Sequence, residues 1–139
     1  MSKTEDITVQ IVVNAPVEVV WKYWNTPEDI MIWNTASDDW QTTNAENELK
    51  VGGKFNYHME AKDGSIGFDF WGIYTTIKIN ELIEITLGDD RKMSVHFSKD
   101  GDKTFVKEVF EAEAENPIEL QKNGWQAILD NFKKYTESK

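Results

Sequence analysis

The chain has 139 residues, a length typical of one domain that buries about two thirds of the surface of its unfolded chain. It contains no cysteine, which excludes disulfides, thiolate metal sites and a thiol nucleophile. Its formal net charge of −10 opposes binding to nucleic acid and to anionic membranes, because both interactions rely on lysine and arginine. We therefore predict a single domain over residues 1–139 that binds neither nucleic acid nor membrane.

The N-terminal third predicts a strand followed by two short helices. Alternating apolar residues over 7–13 are typical of a half-buried strand. Apolar residues in segment 17–24 recur at i, i+3, i+4 and i+7, which indicates an amphipathic helix, and Pro16 fits its first turn. Thr26 is the predicted N-cap of the second helix, with Pro27 at its first position.

Short apolar runs separated by polar turns predict six further strands. The turns are short, which favours antiparallel neighbours. Gly52-Gly53 and Asp63-Gly64 carry the clearest turn signals. The predicted strands cover residues 40–45, 55–60, 66–80, 82–87, 93–97 and 104–110.

The run over residues 66–80 is long for one strand and changes its apolar phase. Phe68 and Phe70 lie at even positions, whereas the apolar residues from Trp71 onward lie at odd positions. A bulge reverses the phase of a strand, and glycine tolerates the backbone angles that it requires. The sequence therefore predicts a bulge or bend near Trp71-Gly72.

The last predicted element is a long helix. Asn116 is its expected N-cap, with Pro117 at the first position and Glu119 at the third. Gly124 lies inside the helix at a cost of about 1 kcal/mol relative to alanine, so we expect close packing there, with a cavity opening as the alternative. The predicted buried stripe consists of Trp125, Ile128, Leu129, Phe132 and Tyr135.

Few polar residues suggest chemistry. His58 and His96 have the parity of their polar neighbours and are expected to face solvent, and no spacing matches a metal site. Asp69 is expected on the outer face; facing inward, it could act as an acid or base. Arg91, the sole arginine, lies at a turn and is expected at the surface, with anchoring of a ligand carboxylate as the alternative. We predict no catalytic residue, metal or cofactor.

Several motifs spread over nearly the whole chain carry a family resemblance: Ala15-Pro16, Val20-Trp21, Pro27, Trp33, Gly52-Gly53-Lys54-Phe55, Asp63-Gly64, Gly72, Thr104, Phe110, Gly124-Trp125 and Leu129. With the β-α-α-β(six)-α order, they resemble the START-like (SRPBCC) helix-grip superfamily, in the branch similar to the C-terminal domain of the heat-shock-protein-90 ATPase activator. The resemblance implies an α+β fold. In it, a curved seven-stranded antiparallel sheet grips a long C-terminal helix across a cavity, with two short helices after the first strand.

Such a cavity predicts binding of a small, largely apolar molecule. The first alternative is a protein-interaction role with a chaperone, although co-chaperone members act with an N-terminal domain that this sequence lacks. The second is a cyclase- or hydrolase-type enzyme, which would need two convergent polar groups in the cavity. The predicted ligand-binding residues are Trp33, Tyr57, Met59, Phe68, Phe70, Met93, Val95, Gly124, Trp125 and Leu129.

The segment Met1–Asp6 has no apolar run that could form a signal peptide. No stretch of the chain approaches the ~20 apolar residues of a membrane span. We therefore expect a cytoplasmic protein.

Overall fold

A computed structural model describes residues 6–139 of the chain. The predicted lack of a signal peptide rests on a segment that lies mostly outside these residues. Within the described part, no helix is both long and apolar enough to span a membrane. In chain order the elements are β1 (Asp6–Val13), α1 (Val17–Asn25), α2 (Pro27–Trp33), β2 (Trp40–Asn47), β3 (Lys54–Ala61), β4 (Gly67–Lys78), β5 (Leu82–Leu87), β6 (Lys92–Asp100), β7 (Lys103–Glu111) and α3 (Ile118–Glu137).

The strands form one antiparallel sheet of seven in the order β1-β7-β6-β5-β4-β3-β2. From β2 to β7 the strands are joined as a meander, as their short polar turns predict, while β1 pairs with β7 at the far edge. The sheet curves around the long helix α3, and α1 and α2 follow β1. This arrangement confirms the predicted α+β fold class.

The two short helices begin close to their predicted positions. Helix α1 starts at Val17, with Pro16 as its N-cap. Helix α2 starts at Pro27, and Thr26 is its N-cap by position. The Thr26 hydroxyl, however, donates to the carbonyl of Lys22 at 2.7 Å, so its side chain ends α1 rather than capping α2.

The start of α3 corrects the prediction that Asn116 caps the helix. The helix begins at Ile118 and its N-cap is Pro117. The Asn116 amide instead donates to the Glu113 carboxylate at 2.5 Å. The buried Gln121 amide donates to the Asn116 carbonyl at 2.8 Å, and its oxygen accepts from the Glu113 amide at 2.9 Å. These bonds hold the β7–α3 loop against the first turns of the helix.

Strand β4 has its irregularity at another place than predicted. Its ladder with β3 passes through Trp71 and Gly72 without a shift, and the register with β5 shifts between Tyr74 and Thr76. Trp71 lies on the outer face, whereas Gly72 is buried against the next strand. A Cβ added to Gly72 would lie 2.7 Å from Cγ2 of Ile85, so this glycine serves close packing rather than a bulge.

The closed end of the core surrounds the C-terminal half of α3. Of the predicted buried stripe, Leu129 and Phe132 are fully buried, whereas Trp125, Ile128 and Tyr135 are only partly buried. The Phe132 ring meets those of Trp24 and Trp33 edge-on, with ring centroids 4.9 Å apart in both pairs. This aromatic cluster fixes α3 against α1 and α2.

Candidate functional site

A pocket of about 350 Å³ lies between the sheet and the N-terminal half of α3. Strands β3 to β7 supply one wall. The other comes from α3, the ends of α1 and α2, the residues that follow α2 and the β7–α3 loop. Its aromatic lining is Trp24, Trp33, Phe55, Tyr57, Phe68, Phe70, Tyr74 and Trp125. The aliphatic lining is Ala36, Met59, Ile83, Ile85, Met93, Val95, Leu120 and Ile128. The polar lining is Asn34, Arg91, Glu108, Glu113, Asn116 and Gln121, and Gly124 completes the wall.

Nine of the ten residues predicted to bind a ligand lie in this lining. They are Trp33, Tyr57, Met59, Phe68, Phe70, Met93, Val95, Gly124 and Trp125. Leu129 is the exception, because it is fully buried in the closed part of the core and is not part of the pocket wall. The role of the nine residues in binding stays a prediction.

Gly124 and Trp125 shape the helical wall. Apart from its chain neighbours and the backbone of its own helix, a Cβ added to Gly124 would meet no described atom within 4 Å, so the expected close packing is wrong and the glycine borders open space. Trp125 is only partly buried. Its ring stacks on Phe110 with centroids 3.7 Å apart and meets Phe70 edge-on at 5.8 Å. The indole is therefore held in place by two neighbours and still faces the pocket.

Glu108 on β7 brings an ionisable group into this apolar space. Its side chain is 5% exposed, lines the pocket and makes no hydrogen bond within the described residues. Burial raises the pKa of this carboxyl to about 8. Our sequence analysis missed Glu108, but a signal was present: Val106 and Phe110 are inward-facing residues of the same parity.

Tyr57 on β3 is the second polar group without a partner in the wall. It is buried, and its hydroxyl makes no hydrogen bond among the described residues. Burial, followed by the charges of Tyr74 and Glu108, raises the pKa of Tyr57 well above its ordinary value. The Tyr74 hydroxyl differs, because it donates to the Asn47 side chain. Tyr57 and Glu108 thus both line the pocket without a hydrogen-bond partner among the described residues.

Arg91 corrects the expectation of a solvated surface residue. Its side chain is 21% exposed and lines the pocket. Its Nε donates to Oδ2 of Asp89 at 2.7 Å and its Nη1 to the carbonyl of Glu111 at 3.1 Å. The position follows from the pairing of the segment before β6 with the end of β7. The residues around Arg91 did not reveal this long-range contact.

The histidines lie outside the pocket lining. Nδ1 of His58 lies 2.7 Å from Oδ1 of Asp69, and the two side chains are 39% and 55% exposed, on the outer face as predicted. The hydrogen bond to Asp69 raises the pKa of His58. His96 alternates with the buried Val95 and Phe97 and so lies on the outer face, as predicted, with intermediate exposure. It bonds to Ser94 at 3.0 Å, and burial lowers its pKa. Within residues 6–139, no group of three acidic, histidine or cysteine side chains could hold a metal.

A curved antiparallel sheet that grips a long C-terminal helix across a pocket is the helix-grip fold of START-like (SRPBCC) proteins. The family model for the Activator of Hsp90 ATPase homolog 1-like protein matches residues 14–137. The chain therefore belongs to this family, as its motifs predicted. No curated protein matches the chain.

Solved structures agree with this assignment. The AHSA1-like protein from Aeromonas hydrophila is 42% identical, with a TM-score of 0.90 over 96% of this chain and 93% of the other. A Cytophaga hutchinsonii protein is 53% identical, with a TM-score of 0.84 over 96% and 92% of the two chains. A Nitrosomonas europaea protein shares the fold alone, at 14% identity and a TM-score of 0.82 over 99% and 97%.

Proposed function

We propose that the protein binds a small, largely apolar molecule in the pocket between the sheet and α3. The pocket itself carries this proposal. Its volume of about 350 Å³ falls in the range of roughly 300–1,000 Å³ that is typical of ligand sites. A core packed only for stability contains few voids larger than a water molecule.

The composition of the wall supports an apolar ligand. Aromatic and aliphatic side chains from four strands and three helices outnumber the polar groups, so burial of apolar ligand surface would supply most of the binding free energy. Trp125 offers a flat surface held between Phe110 and Phe70. Gly124 leaves the space beside it open.

The test uses a substitution on α3 whose larger side chain would fill part of the pocket. N-phenyl-1-naphthylamine, an uncharged apolar fluorophore, is titrated into native protein and into the Gly124→Leu variant. We expect saturable fluorescence enhancement with the native chain and about a tenfold or greater loss of affinity in the variant, because leucine would occupy the open space.

Two control variants separate filling of the pocket from a general effect on the helix. Gly124→Ala adds one methyl group and should keep most of the affinity. Lys122→Leu adds the same side chain at an exposed position of α3 outside the lining and should leave binding unchanged. Binding that persists in a folded Gly124→Leu variant, checked by circular dichroism, would contradict the proposed site.

A chaperone-regulator role is the second candidate. The family description names an activator of the Hsp90 ATPase, and two apolar side chains of the pocket wall, Phe68 and Leu120, are 48% and 58% exposed. Exposed apolar groups of this kind fit contact with a protein partner. Absence of any saturable response from the native protein in the titration would favour this candidate.

A further inference from the structure

The pocket holds two buried polar groups whose hydrogen-bonding capacity is unused. The Glu108 carboxyl and the Tyr57 hydroxyl both line it, and neither makes a hydrogen bond within residues 6–139. Neither oxygen is sealed in the core, because among the described residues Thr136 Oγ1 is the one fully buried side-chain polar atom without a partner. The Glu108 and Tyr57 oxygens are therefore accessible from the pocket, and a ligand group that reaches both would supply the partner that each lacks.

No neighbouring strand supplies a counter-ion to Glu108. The residues paired with it on β1 and β6 are Val9 and Val95, both buried and apolar. The titratable groups that face the same space are Tyr57 on β3, Tyr74 on β4, Arg91 before β6 and Glu113 after β7.

The two other charged groups of the lining already have partners. Arg91 donates to Asp89 and to a main-chain carbonyl, and Glu113 accepts from Asn116. Among the described residues, one basic and two acidic side chains therefore line the pocket, and of these three only the carboxyl of Glu108 lacks a partner. The whole chain also carries a net charge of −10, which attracts cations over long range.

The apolar part of the wall suits a cation as well. Eight aromatic side chains line the pocket, and the faces of aromatic rings attract ammonium groups that have lost water. A carboxylate ligand would meet two acidic side chains, whereas an ammonium would meet the carboxylate of Glu108 and the hydroxyl oxygen of Tyr57. Charge and wall composition thus favour the same ligand class.

We propose that the ligand is an apolar amine whose protonated nitrogen binds the Glu108 carboxylate, with the Tyr57 hydroxyl as a second acceptor. This inference rests on the proposed function of the pocket. Since burial raises the pKa of Glu108 to about 8, the empty pocket holds mostly the neutral acid at pH 7. Binding of the ammonium form therefore releases the Glu108 proton to solvent.

Three probes with one ring system test the inference: naphthalen-1-ylmethylamine, naphthalen-1-ylmethanol and 1-naphthoate, each titrated by calorimetry. At pH 8 we expect the amine to bind about tenfold tighter than the alcohol, and the carboxylate to bind most weakly. The affinity for the amine should rise between pH 6 and 8 by up to about tenfold per pH unit as Glu108 ionises. The affinity for the alcohol should not rise.

Glu108→Gln keeps the shape of the side chain and removes its charge. In this variant the preference for the amine and its pH dependence should both vanish. Glu119→Gln removes an equal charge from an exposed position outside the lining and should preserve both.

Alcohol binding as tight as amine binding, tighter binding of 1-naphthoate, or an unchanged preference in Glu108→Gln would each overturn the amine inference and leave the apolar pocket standing. If N-phenyl-1-naphthylamine and all three probes fail to bind, the proposed function fails together with the inference.

Discussion

The raised pKa of the Glu108 carboxyl makes the stability of the folded protein depend on pH. The pKa of the carboxyl is about 8 in the folded protein, against an ordinary value of 4.5. Between these values the folded chain keeps a proton that the unfolded chain has released, so stability falls as pH rises from about 4.5 to 8. Each pH unit in this window costs about 1.4 kcal/mol.

We predict that Glu108→Gln removes this loss. We expect urea unfolding at pH 5, 6.5 and 8 to show that the free energy of unfolding of the variant, relative to that of the native protein, increases by about 3 kcal/mol from pH 5 to pH 8. His58 also titrates near this window: its raised pKa gives stability at low pH that is lost as pH rises through the folded value. Both proteins retain His58, so the difference between them isolates Glu108. Parallel pH profiles would contradict the raised pKa.

Single residues differ in how far their position can be predicted. Glu108 could have been placed inside, because β7 is buried at every second residue and Glu108 shares the parity of Val106 and Phe110. Arg91 could not, because its burial depends on the pairing of β6 with β7. For Gly124 the sequence allowed either close packing or a cavity opening, and only the space around the helix in the structure distinguishes the two.

Replacement of two glycines by alanine, one in α3 and one in β4, should change the stability of the protein in opposite directions. Gly124 in α3 has open space where a Cβ would lie, so Gly124→Ala should raise the free energy of unfolding by up to about 1 kcal/mol through helix propensity. In β4, a Cβ on Gly72 would lie 2.7 Å from Cγ2 of Ile85 and 2.9 Å from the ring of Phe55. Gly72→Ala should therefore destabilise the protein, by about 1–3 kcal/mol. Urea midpoints that shift in the same direction for both variants would contradict this account.

The elements themselves were predicted well, and their details less so. The apolar phase of β4 does change, but Trp71 is an apolar residue on the outer face, where its ring lies against Gly88 and under Lys54. The register shift comes later, between Tyr74 and Thr76, where the backbone meets β5. Periodicity alone cannot separate an outward-facing tryptophan from a bulge, because both change the parity of apolar residues.

Across the whole molecule, α3 packs differently along its length. Its C-terminal half contributes Leu129, Phe132 and Thr136, all almost fully buried. Its N-terminal half stands over the pocket through Gly124 and Trp125. The closed half anchors the helix against α1 and α2, and the open half borders the pocket. The family resemblance predicted this general arrangement, but the size of the pocket depends on side-chain packing that periodicity does not specify.

The last prediction compares these two halves through one aromatic residue from each. Phe132→Ala should destabilise by about 3–5 kcal/mol, because its ring is fully buried between Trp24 and Trp33 and its loss leaves a new cavity. Trp125→Ala should cost less, about 1–3 kcal/mol, because one side of the indole already faces the pocket and only the contacts with Phe110 and Phe70 are lost.

Urea unfolding gives both values, and titration with N-phenyl-1-naphthylamine gives the second readout. Trp125→Ala should weaken probe binding, since the indole forms part of the wall. Phe132→Ala should weaken probe binding less, under conditions where the variant is folded, since Phe132 is not in the lining and its ring meets two aromatic residues of it, Trp24 and Trp33. A larger loss of stability for Trp125→Ala than for Phe132→Ala would contradict the division of α3 into a closed C-terminal half and an N-terminal half that borders the pocket.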